Sequence, residues 1–122
     1  MSFFLALSTA GSEKEGHRIG KILVEKGLAA CVNVIPGITS FFFWEGKLCK
    51  DKEVMLLIKT TKRNLREITN NIIKIHSYSV PEILFVKIEK GDKKYLDWIR
   101  ETVEKGRKKR IKKLLTEGIQ KR

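Results

Sequence analysis

Apolar positions along this chain switch between two periods, and the switches mark its elements. Phe3–Ser8 (FFLALS) is a short apolar and aromatic run that predicts a strand. Ile19, Ile22 and Leu23 then recur at helical spacing. They follow Ser12-Glu13-Lys14-Glu15, a capping-box sequence whose hydroxyl and carboxylate each satisfy an orphan amide. Gly27 suits a helix end, since glycine enters the left-handed region without steric cost, so the first helix is predicted over Ser12–Lys26. Ala30–Trp44 (ACVNVIPGITSFFFW) is rich in β-branched and aromatic residues and predicts a second strand. Pro36-Gly37 interrupts it, and proline cannot donate to a ladder, so a bulge, bend or edge is expected there. Glu45-Gly46-Lys47 reads as a turn, with the polar stretch to Lys52 continuing the connection. Glu53–Lys59 (EVMLLIK) is the third strand, close enough in sequence to pair with the second as a hairpin.

Thr61 or Asn64 is placed to cap a second helix. In it Leu65, Ile68, Ile72 and Ile75 step by three, four and three. That helix should end near His76, because Pro81 follows and the residue before a proline avoids the α region. Ile83–Ile88 (ILFVKI) predicts a fourth strand. Asp92 is placed to cap a third helix carrying Tyr95, Leu96, Ile99 and Val103. Gly106 is expected to break or bend it, and Ile111, Leu114, Leu115 and Ile119 mark a last amphipathic helix. The order is βαββαβ followed by helices. That is the α+β, ferredoxin-like split-βαβ plan: a four-stranded antiparallel sheet, two helices on one face, and additional C-terminal helices.

Side chains alternate across a strand, and in all four strands both faces are apolar. Phe41 and Phe43 oppose Phe42 and Trp44; Val54, Leu56 and Ile58 oppose Met55 and Leu57. Two crossover helices cover one face. A bare second face would be a large exposed apolar patch, which soluble monomers avoid. Partner subunits are therefore expected to cover it, with coverage within the chain by the third helix as the competing account.

Length and charge sharpen this picture. At 122 residues the chain suits one domain, and 42% hydrophobic residues suffice for a core. The net charge is +12 but unevenly placed. Residues 105–122 hold nine Lys/Arg against one Glu, or +8, leaving +4 on the rest. This divides the chain into a folded domain over 1–104 and a basic, amphipathic helical extension over 105–122. The basic run is a solvated helix face by default, with nonspecific attraction to nucleic-acid phosphates as the functional reading. Phe3–Leu7 is too short for a signal-peptide core and no apolar run reaches membrane-spanning length, so a cytoplasmic protein with no membrane partner is expected. Cys31 and Cys49 are 18 positions apart, which fits neither a zinc pattern nor a C-x-x-C motif. Free thiols in a reducing compartment are expected.

Five stretches, in order over roughly residues 2–104, resemble one family. Ala30-Cys31-Val32-Asn33-Val34-Ile35-Pro36-Gly37, Phe43-Trp44-Glu45-Gly46-Lys47, Glu53-Val54-Met55-Leu56-Leu57-Ile58-Lys59-Thr60, His76-Ser77-Tyr78-Ser79-Val80-Pro81-Glu82 and Tyr95-Leu96-Asp97-Trp98-Ile99 resemble segments of the CutA divalent-cation-tolerance proteins. The resemblance implies a ferredoxin-like homotrimer, similar in architecture to the PII signalling proteins that bind small ligands between subunits. It also implies a link to copper and other divalent cations, and no assigned reaction. Ser77 stands where the family pattern has proline, which implies a less rigid corner. Thiol and histidine metal ligands suggested in some members fall on Ser8, Asn71 and Ile75, so that soft-ligand copper site is not expected here.

The chemistry-bearing candidates are Trp44, Lys59, His76, Tyr78 and Glu82, from segments expected to meet at strand ends as a small-ligand cleft. His76 and Glu82 are the metal candidates, since imidazole and carboxylate suit copper, zinc or nickel, with Glu45 or Glu53 available to add at an interface. The competing account is packing and hydrogen bonding at a subunit boundary. Enzyme readings find no support: there is no acylphosphatase G-x-V-Q-G-V-x-x-R segment and no P-loop. No paired carboxylates or Ser–His pair stand at a defensible spacing. A ferredoxin-like nucleic-acid-binding module is the alternative. It lacks the aromatic strand-three motif of an RNA-recognition domain and would have to work through the basic tail.

Overall fold

The computed structural model describes residues 2–120, the last three by their backbone alone. The side chain of Ile119, and Lys121 and Arg122 of the basic run, lie outside the described residues. The elements are β1 (Phe3–Ala10), α1 (Glu13–Glu25), β2 (Cys31–Trp44), β3 (Lys47–Thr61), α2 (Leu65–Ile75), β4 (Leu84–Ile88) and α3 (Lys93–Gln120). The sheet order is β2-β3-β1-β4 and every neighbouring pair is antiparallel. This is the α+β, ferredoxin-like fold.

The ends of α1 follow from local chemistry. Ser12 accepts the Glu15 amide at 3.1 Å, as a capping box requires. The Glu15 carboxylate, however, accepts Gly11 N–H and Ser77 N–H, so the box is half formed and the acid is used across the fold. At the far end Gly27 takes φ +69. Gly27 N–H donates to the Val24 carbonyl at 2.9 Å, and Leu28 N–H to Leu23 at 3.0 Å, which closes a Schellman motif.

Three elements differ from the sequence expectation. β3 begins at Lys47, not Glu53, because the polar residues 47–52 pair with β2 from Trp44 back to Thr39. The register shift falls between Ile35 and Ile38, around Pro36-Gly37, as expected. β2 and β3 thus form an arm that extends past the last residue pair of β1, Ala10 with Val54. Second, neither Thr61 nor Asn64 caps α2. Thr60 Oγ1 and Asn64 Nδ2 donate instead to the buried Leu28 carbonyl, at 2.7 and 3.1 Å, and a 3-10 turn leads into the helix. Third, Gly106 does not break the chain: α3 is one helix. A Cβ on Gly106 would collide with the backbone of Gly27, and the reverse also holds, so the two glycines let α3 cross the end of α1 in direct contact. Arg110 completes this crossing by donating to the Lys26 carbonyl and lying 3.9 Å from Glu67 of α2.

The inner face of the sheet, under α1 and α2, is filled. Ala6, Leu56, Ile58, Ile19, Leu23, Ile68 and Ile72 are fully buried there. The outer face is covered at one end, where Ile99 and Val103 of α3 pack with Ala30, Phe3 and Leu96. Beyond that end Ile35, Leu84 and Val86 stay exposed, and Leu5, Leu7, Met55 and Leu57 half-buried.

Candidate functional site

The segment from His76 to Glu82 leaves the C-terminus of α2, where His76 N–H caps the helix by donating to the Ile72 carbonyl. It turns under the open end of β1 before β4 begins. The His76 ring is held on both sides. Tyr78 N–H donates to Nδ1 at 3.0 Å, so the ring proton is on Nε2, which donates to the Thr9 carbonyl at 2.7 Å. The imidazole is buried and stacked at a tilt against Tyr78, with centroids 4.7 Å apart.

Ser77 is clamped. Its N–H and hydroxyl donate to the two Glu15 carboxylate oxygens at 2.8 and 3.0 Å. A proline here could not donate, so serine exchanges ring rigidity for a tie to α1, and the corner is not simply loosened. Burial alone would raise the Glu15 pKa. The bonds from Ser77 and Gly11, with His76 nearby, outweigh it and hold the acid below its usual value.

Tyr78 reaches outward to the arm and donates to Glu53 Oε2 at 2.9 Å. It forms one wall of a cleft of about 580 Å³. Thr9 of β1, Asp51, Glu53, Phe42 and Trp44 of the arm, and Glu82 beyond the turn share its lining. Burial, then the Glu53 bond and charge, pushes the Tyr78 phenol up to about 12. Burial and the Glu53 charge also raise the Glu82 carboxyl.

Of the five sequence candidates, Trp44, Tyr78 and Glu82 line this cleft, and His76 lies behind its wall as the support of Tyr78. Lys59 does not join them. It sits six residues further along β3 than Glu53, about 20 Å of strand, where its ammonium lies 3.8 Å from Cys31 Sγ near the α3 end. The expectation that all five segments meet therefore fails for Lys59, because the strand that carries it runs away from the cleft. Asp51, which sequence reasoning missed, is in the lining. Its signal was strand alternation: residues 51 and 53 share a face once β3 is extended to Lys47, whereas a polar connection hides that parity.

A metal does not fit one subunit as arranged. Both His76 nitrogens are committed, and among the described residues no group of three or more His, Cys, Asp or Glu converges on a common point. Cys31 and Cys49 are free, and neither is among the residues that line the cleft.

Residues 4–102 match the family described as CutA1 divalent ion tolerance protein. The chain is 43% identical over 97 residues to the divalent-cation tolerance protein CutA of Thermus thermophilus, covering 80% of this chain and 94% of that one. It is 48% identical over 96 residues to that of Archaeoglobus fulgidus, covering 79% and 93%. The solved structure of the Archaeoglobus fulgidus protein, described as periplasmic, superposes with a TM-score of 0.81 over 83% of this chain and 98% of that one, at 44% identity. CutA1 of Oryza sativa superposes at 0.82, with 35% identity over 84% of this chain and 94% of its own.

Proposed function

The chain belongs to the CutA1 divalent ion tolerance family, and from that premise we propose that it is a homotrimer that binds or senses a divalent cation or small ligand in clefts between subunits, without catalysing a reaction. The observation that carries this reading is the outer sheet face, where Ile35 on one edge strand and Leu84 and Val86 on the other are exposed, and of which α3 covers only one end. An apolar face of this kind is stable in water when a second copy lies on it. The open cleft beside it, with Trp44, Tyr78 and Glu82 in its lining, is the ligand site of this reading.

In the metal branch copper or another divalent cation meets Glu82 together with donors from a neighbouring subunit. His76 then acts as a support and not as a ligand. Two measurements test the proposal. Sedimentation should give a species of about three times 14.1 kDa at micromolar concentration. Titration of that species with copper and zinc should be unaffected by His76→Ala beyond a loss of stability, and weakened by Glu82→Gln. A species that sediments as a single chain overturns the assembly. Metal binding that disappears with His76 and persists without Glu82 overturns the assignment of the cleft.

The free thiols Cys31 and Cys49 support a reducing, cytoplasmic location. Among the described residues no helix is long and apolar enough to cross a membrane.

A second reading rests on α3. Lys108, Lys109, Lys112 and Lys113 are exposed on the helix beyond the family match, and such a row attracts nucleic-acid phosphates regardless of sequence. Replacing these four lysines with glutamine should weaken any salt-dependent binding to duplex DNA and flatten its dependence on salt. Unchanged affinity and unchanged salt dependence refute this lysine row as the contact.

A further inference from the structure

The cleft has a charge that the rest of the molecule does not explain. The chain carries 26 Lys and Arg against 14 Asp and Glu, yet three carboxylates (Asp51, Glu53 and Glu82) line this cleft and no Lys, Arg or His does. The ion pairs among the described residues lie elsewhere. Glu53 is only 8% exposed, and among the described residues the one hydrogen bond its carboxylate accepts comes from the neutral Tyr78 hydroxyl, through Oε2. A carboxylate this little exposed is favoured by a cation beside it, since it keeps little contact with water. The nearest aromatic-bound cation, Lys50, sits 5.7 Å over the Phe41 ring and pairs with none of the three.

The form of the missing cation follows from the walls. The three carboxylates do not converge as a metal-ligand group, so a single small ion would leave part of the charge unmatched. Phe42 and Trp44, which share a strand face, line the same space, and rings of this kind hold hydrocarbon and attract ammonium groups to their faces. At about 580 Å³ the space suits a small organic molecule.

We propose that the cleft bounded by Asp51, Glu53, Tyr78, Glu82 and the aromatic arm takes a small organic cation, an alkylammonium or linear diamine. One ammonium lies between Glu53 and Glu82 beside the Tyr78 ring. A second ammonium, where present, reaches Asp51, the next residue on the same strand face as Glu53, and the hydrocarbon stem packs toward the Phe42 and Trp44 side of the cleft. This rests on the reading of the cleft as a ligand site and names its small ligand as an organic cation.

Isothermal titration of the full-length chain in its native assembly tests it, with putrescine (1,4-diaminobutane), n-butylammonium, butyrate and zinc chloride as probes. Putrescine should bind saturably, n-butylammonium more weakly, and butyrate not at all. Glu82→Gln, at a half-buried rim position, should weaken putrescine about tenfold or more while leaving the circular dichroism spectrum unchanged. Trp44→Ala should weaken both amines, and Lys59→Ala, far from the cleft, should change neither. Absence of saturable binding by both amines overturns the inference, as does amine binding that Glu82→Gln and Trp44→Ala leave intact. In the first case zinc or butyrate binding that responds to Glu82→Gln keeps the ligand-cleft reading while removing the organic cation. No response from any probe removes both.

Discussion

The two faces of the sheet carry similar side chains and meet different fates. On the inner face, Leu56 and Ile58 of β3 are wholly buried under α1 and α2. On the outer face, Met55 and Leu57 of the same strand are half-buried, and Leu84 and Val86 on β4, across β1 from them, are 55% and 48% exposed. Hydrophobicity does not distinguish the faces; the geometry of what packs on them does. Two helices connected within the split βαβ unit must lie across the inner face. The helix on the outer face reaches only the end near Ala30 and Phe3 before it crosses α1 and leaves. The cleft and the uncovered part of the outer face both lie where that helix is absent.

The largest effect expected from breaking this contrast is on the inner face. Leu56→Ala should cost about 2–5 kcal/mol in urea denaturation, because it empties a fully packed position. Leu84→Ala, made on the outer face, should cost under about 1 kcal/mol per subunit and act mainly by making the melting temperature depend on protein concentration. Equal costs without concentration dependence would mean that nothing covers the outer face in solution.

An intermediate effect is expected where α3 is pinned. Gly106→Val places a side chain against the backbone of Gly27 and should destabilise by about 1–3 kcal/mol, loosening the Ile99 and Val103 cover. Hydrogen exchange of α3 amides, faster in the variant than in the parent, reads this directly. Unchanged exchange would show that the crossing does not hold the helix.

The smallest effects concern two carboxylates shifted in opposite directions. Glu82 has its folded pKa raised by burial and by Glu53, so its ionised form costs stability above that raised value, and the cost disappears below the ordinary carboxylate value. Glu82→Gln should therefore stabilise at neutral pH, with the gain fading toward acid. Glu15 has its pKa lowered by Ser77 and Gly11 against the effect of burial. Its contribution is present above the ordinary value and lost as pH falls through the lowered one, so Glu15→Gln should destabilise at neutral pH and converge with the parent in acid. Thermal melts at several pH values check both signs.

Much of this was legible in the sequence because it is local. The stripe through Leu65, Ile68, Ile72 and Ile75, the Gly27 helix end and the bulge at Pro36-Gly37 each depend on residues a few positions apart, and each stands as expected. The Asp92 cap holds too, with its carboxylate accepting Tyr95 N–H at 3.1 Å. Gly106 shows the limit of local reading. Glycine lowers helix propensity, which argues for a break, but here its missing side chain is what lets two backbones touch. Lys59 shows another limit: pattern placed it at a strand end, but not at which end of the sheet the cleft would form.

The sequence by itself determined the βαββαβ order, the two apolar faces and the helix-to-strand corner at HSYSVPE, because periodicity, caps and proline stereochemistry act over a few residues. Only the tertiary structure decided what that corner does. The Thr9 carbonyl, 67 residues away, accepts the hydrogen bond from His76 Nε2–H, and Glu15, 62 residues from Ser77, ties the turn to α1. Pairing across the arm sets Asp51 and Glu53 in one cleft with Glu82 and leaves Lys59 outside. Such groupings depend on register between distant segments, and a shift of one residue there turns every side chain to the opposite face.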